Sequence, residues 1–292
     1  MDGILNINKP PQVTSHDVVD RVRRIIREKR IGHTGTLDPL ATGVLVLCVG
    51  KATRIAQYLE SGEKEYQAVM RLGVKTDTLD ADGRIVETRS YVPPDRGKII
   101  RMMEQLTGSI MQRPPAYSAL KVGGVPSYKL AREGRAKPLP PRPVNIHAID
   151  LTSYEDPFVC FTVRCSKGVY VRTLCADMGE SLGMGAHLTG LTRTRSGRFR
   201  IQNAITIERL ENLAASASIE QVVISISEAL EDFPPILLSE KESGRIQHGN
   251  QVPCPESLAI SSGFFRLQDP AGRLLALARN VAGVLKPELV FS

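Results

Sequence analysis

The sequence predicts an α+β fold with a mostly antiparallel sheet, followed by a small β-rich module. Strand-like and helical segments are mixed along the chain without the regular strand–helix–strand order that marks a parallel sheet. The 292 residues, 42% of them hydrophobic, exceed one minimal domain and can fill a substantial core. A pair of prolines at 234–235 interrupts the pattern. We therefore predict a main domain at residues 1–233 and a small domain at 236–292.

Hydrophobic spacing predicts the elements in chain order. A short strand at residues 3–8 leads into Lys9-Pro10-Pro11, and Ser15 is the expected N-cap of a helix with apolar residues at helical spacing from Val18 to Ile26. Further strands are predicted at residues 43–49, 66–72, 144–151 and 158–163, and further helices at 98–106, 174–182 and 219–230. In the small domain, strands are predicted at residues 264–267, 274–278 and 281–285.

Residues 121–143 break this pattern. They hold Gly123 and Gly124, prolines that include Pro138, Pro140 and Pro141, and a single acid, Glu133. Their basic residues are Lys121, Lys129, Arg132, Arg135, Lys137 and Arg142. Such a composition predicts a mobile basic insertion rather than part of the core.

The overall charge favours a polyanionic partner. Lys and Arg number 38 against 31 Asp and Glu, a net charge of +7, which is compatible with RNA, DNA or an anionic membrane and does not choose among them. We find neither a signal peptide pattern nor eighteen consecutive apolar residues. The five cysteines form no CxxC pair, so a reduced, cytoplasmic setting is expected.

Three ligand-binding patterns are excluded. Gly50-Lys51 lacks the earlier glycine and the following Ser or Thr of a phosphate loop. A calcium loop containing Asp80-Ala81-Asp82-Gly83 would begin at Thr78 and end at Arg89, and neither can serve as a ligand. The histidines form no HxxxH pair. We therefore expect no metal site.

The segment 32–43 is rich in Gly, Thr and Pro yet lies between predicted elements, as ordered functional loops do. It holds one carboxylate, Asp38, which Pro39 biases away from helical geometry. On spacing alone, an Asx-turn in which the carboxylate caps its own backbone explains Asp38 as well as catalysis does.

The same segment, GHTGTLDPLATG, resembles the catalytic motif of the TruB family of pseudouridine synthases. Further blocks follow the family's order: NKP at 8–10, EKEY at 63–66, LGVKTDTLD at 72–80, RPPAYSA at 113–119, GVYVRTL at 168–174 and LTGLTRT at 188–194. One position departs, because Gln12 stands where the family has glycine soon after Lys-Pro. Gln tolerates a positive φ poorly, so a different turn is an open alternative here.

The resemblance implies the pseudouridine synthase fold and an enzyme that isomerises uridine to pseudouridine in RNA. Bacterial standalone members of the family act on the uridine at position 55 in the T loop of tRNA, without cofactor or metal. The base leaves through N1, turns and rejoins the sugar through C5. A carboxylate suits this chemistry because it can attack the sugar or stabilise charge, and which of these it does stays open.

By the same resemblance, Asp38 is the essential carboxylate, Arg172 pairs with it, and Tyr66 stacks on the flipped base. Without the family blocks, Arg172 would be an ordinary surface arginine and Tyr66 a core residue. The expected substrate-binding residues are His33, Lys9, Tyr170 and Leu191. Tyr170 and Leu191 could equally serve core packing.

The resemblance also implies how RNA is bound. The basic insertion and the arginines at 193, 195, 198 and 200 are expected to hold the backbone of a tRNA T stem-loop. The small domain resembles a PUA-like RNA-binding unit. We expect a monomer without obligatory protein or guide-RNA partner and with no membrane association. Two alternatives stay open: an RNA-binding or tRNA-folding role, alone or alongside catalysis, and a guide-dependent relative.

Overall fold

A mixed sheet organises the first 200 residues in the computed structural model, which describes residues 1–255 and 263–291. The strands up to residue 200 are β1 Gly3–Lys9, β2 Ile31–His33, β3 Thr42–Val49, β4 Lys64–Leu72, β5 Val74–Thr76, β6 Ile85–Thr88, β7 Gly108–Gln112, β8 Lys121–Val122, β9 Val125–Pro126, β10 Arg142–Glu155, β11 Phe158–Cys165, β12 Ala186–Ser196 and β13 Phe199–Arg200. The α-helices are α1 Ser15–Ile26, α2 Ala56–Glu60, α3 Arg96–Gln105, α4 Ser127–Arg132, α5 Val171–Ser181, α6 Ile207–Ala215, α7 Ile226–Ala229 and α8 Glu240–Gln247. Short 3₁₀ segments are at Gly50–Ile55, Ile201–Asn203 and Ile219–Val222.

The main sheet has the order β1-β3-β12-β4-β11-β10-β7, with β2 paired to β3 and β13 to β12. Strands β3 and β12 are parallel, and the other pairs in this sheet are antiparallel. The predicted α+β class with a mostly antiparallel sheet is therefore confirmed. At Gly43, with φ +97°, an added Cβ would lie 2.3 Å from the Arg193 carbonyl oxygen, so only glycine permits the close approach of β3 and β12.

Strand β3 lies between two hydrophobic cores. Leu45 and Leu47 belong to the core that α1, α3 and α5 cover, whereas Val44 and Val46 belong to the core on the other face. A strand buried on both faces has a continuous apolar sequence, which explains the uninterrupted run in β3. Asp38 precedes this strand directly, so its loop is anchored to the most buried part of the fold.

Most predicted elements are confirmed, and the N-cap of α1 is a correction. Thr14, not Ser15, caps this helix: the Thr14 hydroxyl accepts from the Asp17 amide at 3.0 Å, and the Asp17 carboxylate accepts from the Thr14 amide at 2.8 Å. Together they form a capping box. Ser15 is buried and its hydroxyl bonds the backbone of Leu37.

Two further predictions are wrong in detail. The single helix at 219–230 is divided, because Ile224 forms an antiparallel bridge with Ile4 and the chain must extend there. The predicted strand at 281–285 is interrupted by a hairpin turn at Ala282 and Gly283, which both have positive φ, so Val281 ends one strand and Val284 begins the next. Strand β12 and helix α6 were not predicted.

The insertion at 121–143 is not purely irregular, because it contains regular secondary structure. Strands β8 and β9 pair as a hairpin, and α4 follows. Ser127 ties α4 to the preceding loop, since its amide donates to the Leu120 carbonyl at 2.7 Å and its hydroxyl to the Ala116 carbonyl at 2.7 Å.

The described part of the small domain forms a sheet with the order β14-β16-β17-β18-β15. Its strands are β14 Pro235–Leu237, β15 Val252–Pro253, β16 Phe264–Gln268, β17 Leu274–Val281 and β18 Val284–Val290. It contacts the main domain where Arg266 donates to the Phe233 carbonyl at 2.9 Å and Tyr58 packs edge-on against Phe264. Residues 256–262 and 292 of the predicted domain lie outside the described residues.

Candidate active site

A cleft of about 1230 Å³ opens over the loop that carries Asp38. Its walls are the loop at 33–39, strands β4 and β12, the start of α5 and the loop at 77–84, and the basic insertion forms part of its rim. In the described parts of the chain, no three His, Cys, Asp or Glu side chains cluster as a metal site requires. No helix in those parts is long and apolar enough to cross a membrane.

Asp38 and Arg172 form an ion pair at the floor of this cleft, although 134 positions separate them in sequence. Arg172 Nη2 donates to Asp38 Oδ1 at 3.0 Å, and Arg172 Nε lies 2.9 Å from Oδ2. The second contact is ionic without hydrogen-bond alignment, because Nε has no bonded acceptor. The Arg172 side chain is 5% exposed and that of Asp38 is 34% exposed, so the carboxylate faces the cleft and the arginine supports it from below.

Arg172 also contacts a second carboxylate, which the sequence-based prediction missed. Asp80 Oδ2 lies 3.2 Å from Arg172 Nη1, and its side chain is 6% exposed. The guanidinium further donates to the Thr78 carbonyl at 3.0 Å and to the Tyr117 carbonyl at 2.9 Å. The block LGVKTDTLD was the available signal, since Asp80 ends it.

The charge balance at the floor sets the acidity of Asp38. Burial raises the pKa of the Asp38 carboxyl, the neighbouring Asp80 carboxylate acts in the same direction, and the Arg172 guanidinium opposes both. The pKa of this carboxyl therefore lies above its usual value.

The N-terminal segment holds the Asp38 loop in place through Lys9. Lys9 is fully buried and its Nζ donates to the carbonyls of Pro10, Val13 and Pro39 at 2.9, 2.7 and 3.2 Å. Its donors are thus engaged by the backbone, so Lys9 clamps the Asp38 loop, and its contact with substrate stays a prediction. Burial lowers its pKa to about 8.

Gln12 completes this clamp. Its φ is +59°, the conformation that the family's glycine would adopt, and its amide donates to the Pro39 carbonyl at 2.8 Å. The glycine-type turn is therefore kept in spite of the substitution. Ser15 adds a third tie: its hydroxyl accepts from the Leu37 amide at 2.8 Å and donates to the Leu37 carbonyl at 3.0 Å.

Tyr66, Leu191 and Arg193 form one wall of the cleft. The side chains of Tyr66 and Leu191 are buried and also belong to the main core, so both residues line the cleft and contribute to core packing. Burial raises the pKa of the Tyr66 phenol, and the adjacent Arg193 guanidinium opposes this. Arg193 is itself buried and bonds the carbonyls of Val44 and Gly35 at 2.7 and 3.0 Å.

His33 and Tyr170 lie on other sides of the cleft. His33 Nδ1 accepts from the Gly35 amide at 3.3 Å, and burial together with Arg193 lowers its pKa, so the ring is neutral at neutral pH. Tyr170 is half-buried at the N-cap of α5, and the Arg142 guanidinium lies 5.4 Å from the centre of its ring.

The two basic segments differ in what they offer to RNA. In the insertion, Lys121, Lys129, Arg132 and Lys137 are exposed, and Arg135 is exposed but pairs with Glu133 at 2.7 Å. In the run that begins at Arg193, by contrast, Arg195 pairs with Glu63 at 3.1 Å and Arg198 with Glu231 at 2.6 Å. The expectation that this run holds the RNA backbone is therefore not supported, because its charges are buried or neutralised except at Arg200.

Comparison with known proteins agrees with this geometry. The profile of the TruB family pseudouridylate synthase N-terminal domain matches residues 23–171, and that of the tRNA pseudouridylate synthase B C-terminal domain matches 172–231. The chain is 41% identical over 297 residues to tRNA pseudouridine synthase B of Bacillus cereus, covering 98% of this chain and 96% of the relative. It is 43% identical over 280 residues to that of Geobacter sulfurreducens, covering 96% and 91%.

A solved structure shows the same fold. A chain in the structure of an H/ACA RNP bound to a substrate RNA containing 2′-deoxyuridine superposes with a TM-score of 0.75 at 26% identity, covering 99% of this chain and 85% of that chain. The family profiles together match residues 23–231, and the two relatives cover 98% and 96% of the chain. This chain belongs to the TruB family of pseudouridylate synthases.

Proposed function

We propose that this enzyme isomerises the uridine at position 55 in the T loop of tRNA to pseudouridine, with Asp38 as the essential carboxylate. The observation that carries the proposal is the Asp38–Arg172 ion pair at the floor of a cleft large enough for a nucleotide, beside Tyr66 and Leu191. The relatives named tRNA pseudouridine synthase B support tRNA as the substrate.

The target base must leave its stack to reach Asp38, at a cost of a few kcal/mol. The exposed cations of the insertion, together with Arg142, supply attraction for the RNA backbone at the rim of the cleft. Tyr66 and Tyr170 offer aromatic surfaces on which an extruded base can stack.

The reaction itself balances without a cofactor. The bond from the sugar to N1 breaks, a bond from the sugar to C5 forms, the proton on C5 leaves, and N1 gains a proton. An ionised Asp38 can serve by attacking the sugar or by accepting a proton, and Arg172 holds it in one orientation for either route. Because catalysis needs the charged form, the raised pKa of Asp38 predicts that activity falls as the solution is acidified.

The test uses purified protein and an unmodified tRNA transcript tritiated at C5 of its uridines. We expect one equivalent of tritium to be released per tRNA, and pseudouridine to map to position 55. A transcript with cytidine at position 55 is the control and should release none. Release from that control, or mapping to another position, would contradict the assignment.

The same experiment tests whether the protein works alone. We propose a standalone, monomeric enzyme, supported by the close relatives; the superposed structure comes from an RNP. Activity that requires an added guide RNA would refute this. The free cysteines support a reducing, cytoplasmic setting.

A second role in tRNA folding is supported by the exposed basic insertion, which can hold an opened loop independently of Asp38. If Asp38→Asn accelerates refolding of a misfolded transcript as wild type does, this role is independent of catalysis. If the variant loses that effect, the folding role fails.

A further inference from the structure

The start of α5 is held by a side chain that no family block assigns to the site. Gln112 ends β7 at the edge of the main sheet and is 1% exposed. Its amide bonds both backbone groups of Tyr170: Oε1 accepts from the Tyr170 amide at 2.8 Å, and Nε2 donates to the Tyr170 carbonyl at 3.1 Å. A glutamine side chain thus bonds this residue as a neighbouring strand would.

The contact between Gln112 and Tyr170 lies where it can influence the Asp38–Arg172 ion pair. Tyr170 is the N-cap of α5, and its carbonyl also accepts the first helical bond, from Leu174 at 3.0 Å. Its own side chain makes no capping bond. Arg172 is the second residue of the helix, so the backbone direction at Tyr170 determines where the guanidinium meets Asp38 and Asp80.

Arg142 reinforces the same segment from the next strand. It lies opposite Gln112 in the β7–β10 register, donates to the Gly168 carbonyl at 2.8 Å and lies over the Tyr170 ring. Gly168 has φ +87°, and an added Cβ would lie 3.2 Å from Arg142 Nη2. Gln112 and Arg142, which are opposite each other in β7 and β10, therefore fix the chain from Gly168 to Tyr170. Both the donor and the acceptor of the Gln112 amide are used for this.

We propose that Gln112 is a positioning residue for the isomerisation: its amide fixes the backbone of Tyr170 and thereby aims Arg172 at Asp38 and the Tyr170 ring into the cleft. The proposal rests on the proposed function of the Asp38 site. A misplacement of about 1 Å in such a site can lower the rate about 100-fold.

Gln112→Glu tests the amide itself, because glutamate has the same shape. Its carboxylate can accept a hydrogen bond from the Tyr170 amide. Its other oxygen is also an acceptor, so it cannot replace the hydrogen bond that Gln112 Nε2 donates to the Tyr170 carbonyl. Once protonated, it restores both bonds. Burial raises the pKa of a carboxylic acid above about 4.3, so protonation falls in a range where the enzyme can be assayed.

The measurement is single-turnover pseudouridine formation in tRNA between pH 5.5 and 8, with tRNA affinity and circular dichroism at each pH. At pH 8 the Gln112→Glu rate should be about 100-fold below the wild-type rate. On acidification the ratio of the two rates should rise towards one, with unchanged affinity for tRNA. Gln112→Met, which cannot be rescued by protons, should stay low throughout. Gln105→Glu, at an exposed position at the end of α3, is the matched control and should follow wild type.

Three results would overturn the proposal: a rate ratio that does not change with pH, a Gln112→Met rate equal to wild type, or an activity loss that follows loss of the folded signal. A failure of the proposed function itself is distinguishable, because wild type would then form no pseudouridine at position 55.

Discussion

Removing the guanidinium of Arg172 should both destabilise the fold and impair catalysis. In Arg172→Met, the carboxylates of Asp38 and Asp80 lose their shared cation, and the carbonyls of Thr78 and Tyr117 lose a donor. Breaking a buried ion pair from one side costs about 3–5 kcal/mol. Since the Asp38 side chain is 34% exposed and can be partly solvated, we expect a loss near the lower limit, about 3 kcal/mol.

The destabilisation should depend on pH. Arg172 is the main group that lowers the pKa of Asp38, so its removal raises that folded-state pKa further above the unfolded value of about 3.9. An acid whose folded pKa is raised stabilises the fold below the unfolded pKa and loses that contribution as the pH rises. The deficit of the variant should therefore shrink between pH 8 and pH 5.

Urea unfolding of Arg172→Met and wild type at both pH values measures this effect. The rate of pseudouridine formation should fall about 10²–10³-fold, as for loss of a group that positions charge in an active site. An unfolding free energy equal to wild type at pH 8, or a deficit that grows on acidification, would refute the reasoning about this ion pair.

Three further predictions concern the surroundings of the site. Replacing Lys121, Lys129, Arg132 and Lys137 with glutamine should weaken tRNA binding and flatten its dependence on salt, whereas Arg195→Gln, whose charge is already paired, should leave the salt slope unchanged; equal slopes for both variants would show that the insertion does not touch RNA. Gln12→Gly should raise the unfolding free energy by about 0.5–1 kcal/mol, because a non-glycine residue in the left-handed region costs about 1–2 kcal/mol and the larger conformational entropy that glycine loses on folding offsets part of the gain. A variant that is less stable than wild type in urea unfolding would contradict the φ of +59° at Gln12. Because the pKa of Lys9 is lowered from 10.5 to about 8, the unfolded state holds a proton on this side chain in that window where the folded state does not; the difference in unfolding free energy between wild type and Lys9→Met should therefore rise with pH there, and a difference that does not change with pH would exclude this role.

Local patterns in the sequence predicted the elements better than their connections. The apolar run in β3 and the helical spacing in α1 were sufficient for both elements. Strand β12 was not predicted, because residues 192–195 are four consecutive polar residues without apolar alternation, and it is a strand through pairing with β4. Ile224 similarly extends because of its bridge to Ile4, a partner that no local window contains.

The candidate site shows the same difference between local patterns, which the sequence predicts, and long-range contacts, which it does not. The loop with Asp38 stood out by composition, but its spacing alone also fitted an Asx-turn, and only family resemblance linked it to Arg172. Asp80 was placed in a family block and tested as a calcium ligand but given no role in the site, because its ion pair depends on a helix that begins only at Val171. The resemblance implies that Lys9 binds substrate, but the sequence did not show that this lysine is buried with its donors bonded to the backbone.

The central claim is that Asp38 carries the chemistry, and Asp38→Asn tests it most directly. This variant keeps the shape of the side chain and removes its charge. Tritium release from a tRNA transcript and tRNA affinity should be measured on the same preparation. We expect no release above background, with tRNA affinity close to wild type. Turnover at the wild-type rate would contradict the assignment.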